Sequence, residues 1–327
     1  MLDLHRLEKL RLFRIPPGQV FFAETALRLD YRLPHRTEIV LEGVEHLPKD
    51  RGAFLAMNHT DRYNYWPLQY AMYRRGLRFT ATWVKGKYFE NEWMARFMDS
   101  MNNIPLPSRG YVITTLFRAE LGRTPTEAEY RLLRDLVDGL RAPRDLETTE
   151  AAVNRLFATH SGPAGFLAWF DGYFGKMIDH IVRLNKLALN EKKLNVLVFP
   201  QGTRSVRLSR GHTGLIQMAW HLGTPIVPVG CSGSDKVYPG NSPMAKGGRI
   251  VYRFGPALES DGPEFADLRP KVPYQPLTRE ATEQHGAAFR AATDIIMQRI
   301  ELLVDPPYRF ADDVVAPSDE RGVGRFV

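Results

Sequence analysis

The residues best suited to chemistry lie in two short stretches. The first, "NHTDRYN" (58–64), follows the apolar run "GAFLAM" and precedes "YWPLQYAMYRRG". An unperturbed histidine changes protonation near neutral pH, so His59 can serve as a general base. A base of this kind works best when its second ring nitrogen is held by an acceptor. Two neighbours qualify: Asn64, five residues on, where a carboxylate would serve, and Asp61, two residues on. An Asp in such a turn equally fits as a cap for its own backbone. The second stretch, "VFPQGTRS" (198–205), takes an apolar run into a polar turn. Gly202 permits a tight turn, Gln201 offers an amide, Thr203 and Ser205 offer hydroxyls, and Arg204 a planar fork of donors. That set suits a phosphate or similar anion at a strand end. The plain alternative is a surface turn whose arginine makes an ordinary ion pair.

Both stretches need a scaffold, and the apolar pattern supplies one. Residues 37–47, 52–57, 77–84, 194–200, 224–230 and 247–258 read as strands, with a short extended piece at 103–110. Between them, 65–76, 91–101, 177–193, 213–223 and 277–304 read as helices. Alternation of this kind predicts an α/β domain: a mixed, largely covered β-sheet flanked by helices. Residues 111–176 break the rhythm with a helical insertion that ends in an aromatic, Gly-rich run, "FLAWFDGYF". That run suits either core packing or contact with an acyl chain or bilayer. Residues 1–36 form an amphipathic, Arg/Lys-rich segment, and 311–327 a loose tail. The N-terminal segment suits either a helix packed on the domain or an interfacial anchor on a membrane.

Composition narrows the function. The chain has 327 residues, 44% hydrophobic, with a net charge of +7 and a pI near 9.4. A single cysteine, Cys231, excludes an intramolecular disulfide and a cysteine-rich zinc site. No uninterrupted apolar stretch is long enough for a transmembrane helix, and the N-terminus lacks the apolar core of a signal peptide. The positive charge comes without a nucleic-acid motif, which favours anionic lipids or phosphorylated substrates over nucleic acid.

Two further pieces complete a pattern: Arg109 in the loop closing "NIPLPSRG" (103–110), and the apolar strand "IVPVG" (226–230). In order and flanking strands, the four pieces resemble the glycerolipid acyltransferases, the 1-acylglycerol-3-phosphate and glycerol-3-phosphate acyltransferases. That family carries Asn-His-x4-Asp, an Arg-bearing loop, Phe-Pro-Glu-Gly-Thr-Arg-Ser and a Val-Pro-Val-type strand. The resemblance covers roughly residues 37–257 and implies an α/β fold. It implies that His59 is the general base and that Arg109 and Arg204 hold the acceptor's phosphate. Gln201, Gly202, Thr203 and Ser205 would shape that pocket. Val227, Pro228 and Val229 would line the acyl side, and Lys85 or Lys87 would add positive charge. No cofactor is implied beyond acyl-CoA or acyl-carrier protein as donor.

Two signature acids are replaced by amides: Asn64 stands at the Asp position and Gln201 at the Glu position. An Asn can orient an imidazole but cannot neutralise the imidazolium. A further departure is the long connection between Arg109 and Phe199, which contains the insertion; it suits a lid, a donor-recognition surface or an interaction surface. The expected activity is transfer of a fatty acyl group from the thioester donor to a hydroxyl of a lysophospholipid-like acceptor. The setting would be the inner face of the cytoplasmic membrane, with the lipid surface and an acyl-carrier protein as partners. Two alternatives stay open: a degenerate member that binds acyl-lipid without turnover, and an acyltransferase for an amine, amino-lipid or metabolite acceptor.

Overall fold

The computed structural model describes residues 2–146 and 148–311. Apart from Ala311, the expected tail at 311–327 lies outside them. Seven strands form one sheet: β1 (Thr37–Glu42), β2 (Phe54–Met57), β3 (Thr80–Lys85), β4 (Asn103–Leu106), β5 (Asn195–Val198), β6 (Ile226–Ser232) and β7 (Gly248–Phe254). Their spatial order is β1-β7-β6-β2-β5-β3-β4. Every neighbouring pair is parallel except β6 and β7, so the sheet is mixed, as expected. Strands β2, β5 and β6 are buried along their whole length. Their continuous apolar runs suit central strands covered on both faces.

In chain order the helices are α1 (Leu4–Lys9), α2 (Pro17–Phe22), α3 (Arg28–Asp30), α4 (Tyr65–Arg74), α5 (Glu92–Ser100), α6 (Arg109–Leu121), α7 (Glu127–Val137), α8 (Ala151–Ala158), α9 (Pro163–Lys186), α10 (Gly214–Leu222), α11 (Ser234–Val237) and α12 (Arg279–Glu301). A π turn at Ala23–Leu27 joins α2 to α3. One face of the sheet is covered by α9, α10, α12 and the insertion helices, the other by α4 and the helical run after Pro17. The N-terminal segment packs on the domain: Leu7, Leu10 and Leu12 are buried in the first of these cores. Its outer side keeps Phe13, Ile15 and Phe21 exposed.

Three sequence expectations need correction. The strand expected over 37–47 stops at Glu42, because Gly43 turns the chain with φ +72° into a 3₁₀ turn at Val44–His46. The aromatic, Gly-rich run is helical. Phe166, Phe170, Phe174, Met177, Ile178 and Ile181 recur at helical spacing and are all buried in α9. Their burial outweighs the cost of about 1 kcal/mol that each interior glycine brings. The insertion therefore has no boundary at 176: α9 runs unbroken from the aromatic run into the helix that flanks the sheet. The aromatic run is core packing on one side, while Trp169 and Tyr173 stack on its outer side at 5.3 Å.

Candidate active site

The carboxyl ends of parallel strands are where an open α/β sheet gathers its loops and ligands. Here β2, β5 and β3 are consecutive neighbours, so His59, the 199–205 turn and Lys85 emerge side by side. The first two are stitched together through the backbone. His59 N–H donates to Gln201 Oε1 at 3.1 Å, and Ser205 N–H donates to the His59 carbonyl at 2.9 Å. Both main-chain polar groups of His59 are thus fixed by the second motif. The imidazole also stacks on Phe199, centroid to centroid 4.0 Å.

Asn64 is the group that meets the ring. His59 Nδ1 lies 3.1 Å from Asn64 Oδ1, while Asn64 Nδ2 donates to the Asn58 carbonyl at 2.9 Å. The second bond fixes which end of the amide faces the ring. An acceptor oxygen therefore faces Nδ1, which must carry the proton, and Nε2 keeps its lone pair. The clamp has its own support. Asn58 bridges to β6 by donating from Nδ2 to the Cys231 carbonyl at 2.9 Å and accepting from Cys231 N–H at 2.7 Å. Tyr252 Oη donates to the Asn64 carbonyl. Asn64 is fully buried.

Asp61 does not meet the imidazole. Its carboxylate accepts from Thr60 Oγ1 and from Tyr63 N–H, both at 2.8 Å, the local backbone turn typical of this residue. Gln201 is not open to substrate. Besides receiving His59 N–H, its Nε2 donates to Ser209 Oγ at 3.1 Å and to the Arg207 carbonyl at 3.3 Å. A carboxylate cannot make that second pair of bonds, which gives the Gln a local reason. Gly202 adopts φ +66°, and a Cβ there would lie 2.8 Å from His212 Cδ2. Conformation and space both require glycine. Thr203 is exposed at the turn.

The electrostatics of the site are positive. Burial and the nearby Arg204 and Lys85 push His59 down to about 4, against the opposing pull of its bond to Asn64. The imidazole is neutral at pH 7. Burial also lowers Lys85, as do its neighbours Lys87 and Arg204. These three cations have no acidic partner among the described residues.

Two groups of expected contributors are engaged in packing. Arg109 is the first residue of α6, pairs with Asp138 at 3.5 Å and lies over the Phe174 ring at 5.7 Å. The insertion supplies both partners, so the guanidinium serves the packing of α6 against α7 and α9. Val227 and Val229 are fully buried in the sheet core, and Pro228 is buried beside Gly255. They pack within β6, which is buried along its whole length. Conversely, the clamping role of Asn58 and the stacking role of Phe199 were not read from sequence. Their one signal was adjacency to His59 and Gln201 in the two motifs.

Residues 171–232, from within α9 through the β5 turn to the end of β6, match the family model described as Acyltransferase. No curated protein matches the chain. Among solved structures, the chain is similar to the 1-acyl-sn-glycerophosphate (LPA) acyltransferase PlsC from Thermotoga maritima. The identity is 16% and the TM-score 0.40, with 85% of this chain and 79% of that one covered. The matched span holds the turn that fixes both backbone groups of His59.

Proposed function

We propose that the chain transfers an acyl group from a thioester, acyl-CoA or acyl-carrier protein, to a hydroxyl of a lysophospholipid-like acceptor. One observation carries the reading: the Asn58–Asn64 relay fixes the His59 tautomer with Nε2 free. In the reaction, Nε2 takes the acceptor's hydroxyl proton as that oxygen forms a bond to the thioester carbonyl carbon. The carbon–sulfur bond then breaks, and the proton held on Nε2 passes to the departing thiolate. The products are an ester and a free thiol. Lys85, Lys87 and Arg204 supply the positive field for the acceptor's phosphate. The exposed apolar side chains of the N-terminal segment support action at a lipid surface. Among the described residues no helix is long and apolar enough to cross a membrane.

The low basicity of His59 and the missing carboxylate favour a second reading, binding of acyl donor or lipid without turnover. Purified protein with labelled acyl-CoA and lysophosphatidic acid separates the two. Multiple turnovers, reduced by about 10²–10⁴ in His59→Ala, are expected for a general base. Absence of turnover with retained ligand binding establishes the second reading. Unchanged turnover in His59→Ala removes the base from the first.

A further inference from the structure

A second cationic site lies at the far end of α4. Asn64 precedes this helix and Arg74 and Arg75 close it, so the two ends stand about 15 Å apart at 1.5 Å per residue. There a cleft of about 480 Å³ opens between α4, β1 and the turn after α3. Four arginines line it, Arg32, Arg36, Arg74 and Arg75, over a floor that includes Tyr70 and Ile39. No acidic side chain lines it. Arg74 shares Glu24 at 3.3 Å, and Arg75 donates to the Leu41 carbonyl at 3.1 Å. Arg32 and Arg36 are exposed and have no side-chain partner among the described residues. Several guanidinium forks converging on one concavity match the oxygens of a phosphate ester.

The chain around Arg32 says which phosphate ester. Leu29 and Leu33 flank Arg32 in the chain, and they are 63% and 67% exposed. Apolar side chains left in water beside unpaired arginines are the pattern of a surface that rests at a lipid interface. Arg74 and Arg75 also sit where a helix C-terminus favours cations, but that accounts for neither Arg32 nor Arg36 nor the leucines. We propose that this cleft binds the phosphate headgroup of an anionic phospholipid of the bilayer, separately from the acceptor site at His59. Such a contact would hold α4, and with it the His59 end of the sheet, against the surface where its lipid substrates lie.

The test is vesicle co-sedimentation of the full chain, which requires no turnover and so stands or falls apart from the acyl-transfer reading. Vesicles of phosphatidylcholine with phosphatidic acid are compared for wild type, R32Q/R36Q and the charge-matched R131Q/R144Q, whose arginines lie on and near α7. At about 1 kcal/mol per surface cation, R32Q/R36Q is expected to lose about 30-fold in partitioning, and the control pair less than about threefold. Circular dichroism melting checks that each variant is folded. Equal losses in both variants would reduce the effect to net charge and overturn the site, as would no loss in R32Q/R36Q. A third arm measures thermal protection by glycerol 3-phosphate. Protection that depends on Arg32 and Arg36, with vesicle binding unaffected by them, would assign the cleft to a soluble phosphate and overturn the lipid assignment.

Discussion

Restoring the acid at position 64 gives the sharpest test of the relay. In Asn64→Asp a carboxylate replaces the amide oxygen 3.1 Å from His59 Nδ1. A unit charge about 4 Å from the imidazolium, at an effective dielectric near 20, contributes about 4 kcal/mol, or roughly 3 pKa units. Desolvation of the buried carboxylate takes part of this back, leaving a rise of about 1–3 units. His59 starts at about 4, so it should move to about 5–7. The direction follows from the chemistry: the base must be unprotonated, so kcat/KM falls as pH drops through the pKa of the free enzyme. The acid limb should therefore lie near 4 in the wild type and move upward in Asn64→Asp, with activity above the limb raised by the stronger base. The substitution has a cost. Asn64 Nδ2 now donates to the Asn58 carbonyl, and a carboxylate oxygen there would face it, destabilising the fold by about 1–3 kcal/mol. The assay is thiol release from acyl-CoA against pH from 4 to 9, with thermal melting alongside. A limb that stays in place in a folded Asn64→Asp would refute Asn64 as the electrostatic partner of His59.

Three further outcomes follow from the same geometry. Arg204→Gln should raise KM for a phosphate-bearing acceptor by about tenfold, the value of a hydrogen bond to a charged group, and should also raise the acid limb by removing a cation that depresses His59; steady-state kinetics with charged and uncharged acceptors checks both. Gln201→Glu should destabilise by about 2 kcal/mol at neutral pH, since a carboxylate would face the Arg207 carbonyl, and the loss should shrink in acid as that carboxyl protonates. Melting curves across pH read this out, and a pH-independent loss would count against it. Arg109→Ala should lower stability by about 2 kcal/mol through its lost pairing with Asp138 and Phe174, leaving the acceptor KM unchanged; a raised KM with unchanged melting would return Arg109 to the substrate site.

The amide substitutions acquire a physical meaning only in three dimensions. In the sequence, Asn64 and Gln201 are two departures of the same kind from the acidic pattern. In the fold they differ. Asn64 uses its oxygen toward the imidazole and its nitrogen toward Asn58, so it remains part of the base. Gln201 uses both ends of its amide to tie the two motif loops together. Its carboxylate counterpart could accept the first of these bonds and could not donate the others.

What the sequence determined by itself was local and periodic. Apolar runs such as "VLVF" and "IVPV" specify buried strands whatever surrounds them, and their alternation with helices requires a covered α/β sheet. The Asn-His and Pro-Gln-Gly-Thr-Arg-Ser turns are likewise legible, because each residue type suits a strand end. Tertiary structure decided the partners. Strand order put β5 between β2 and β3, which brings the 201–205 turn to His59 and Lys85 to both. It also gave Arg109 an acid from α7's end and a ring from α9, partners that its motif did not suggest. Asp61 was equally open in sequence and was settled by a turn that its own backbone closes. A side chain's type limits which bonds it can make, and only packing chooses among the acceptors and charges that come within reach.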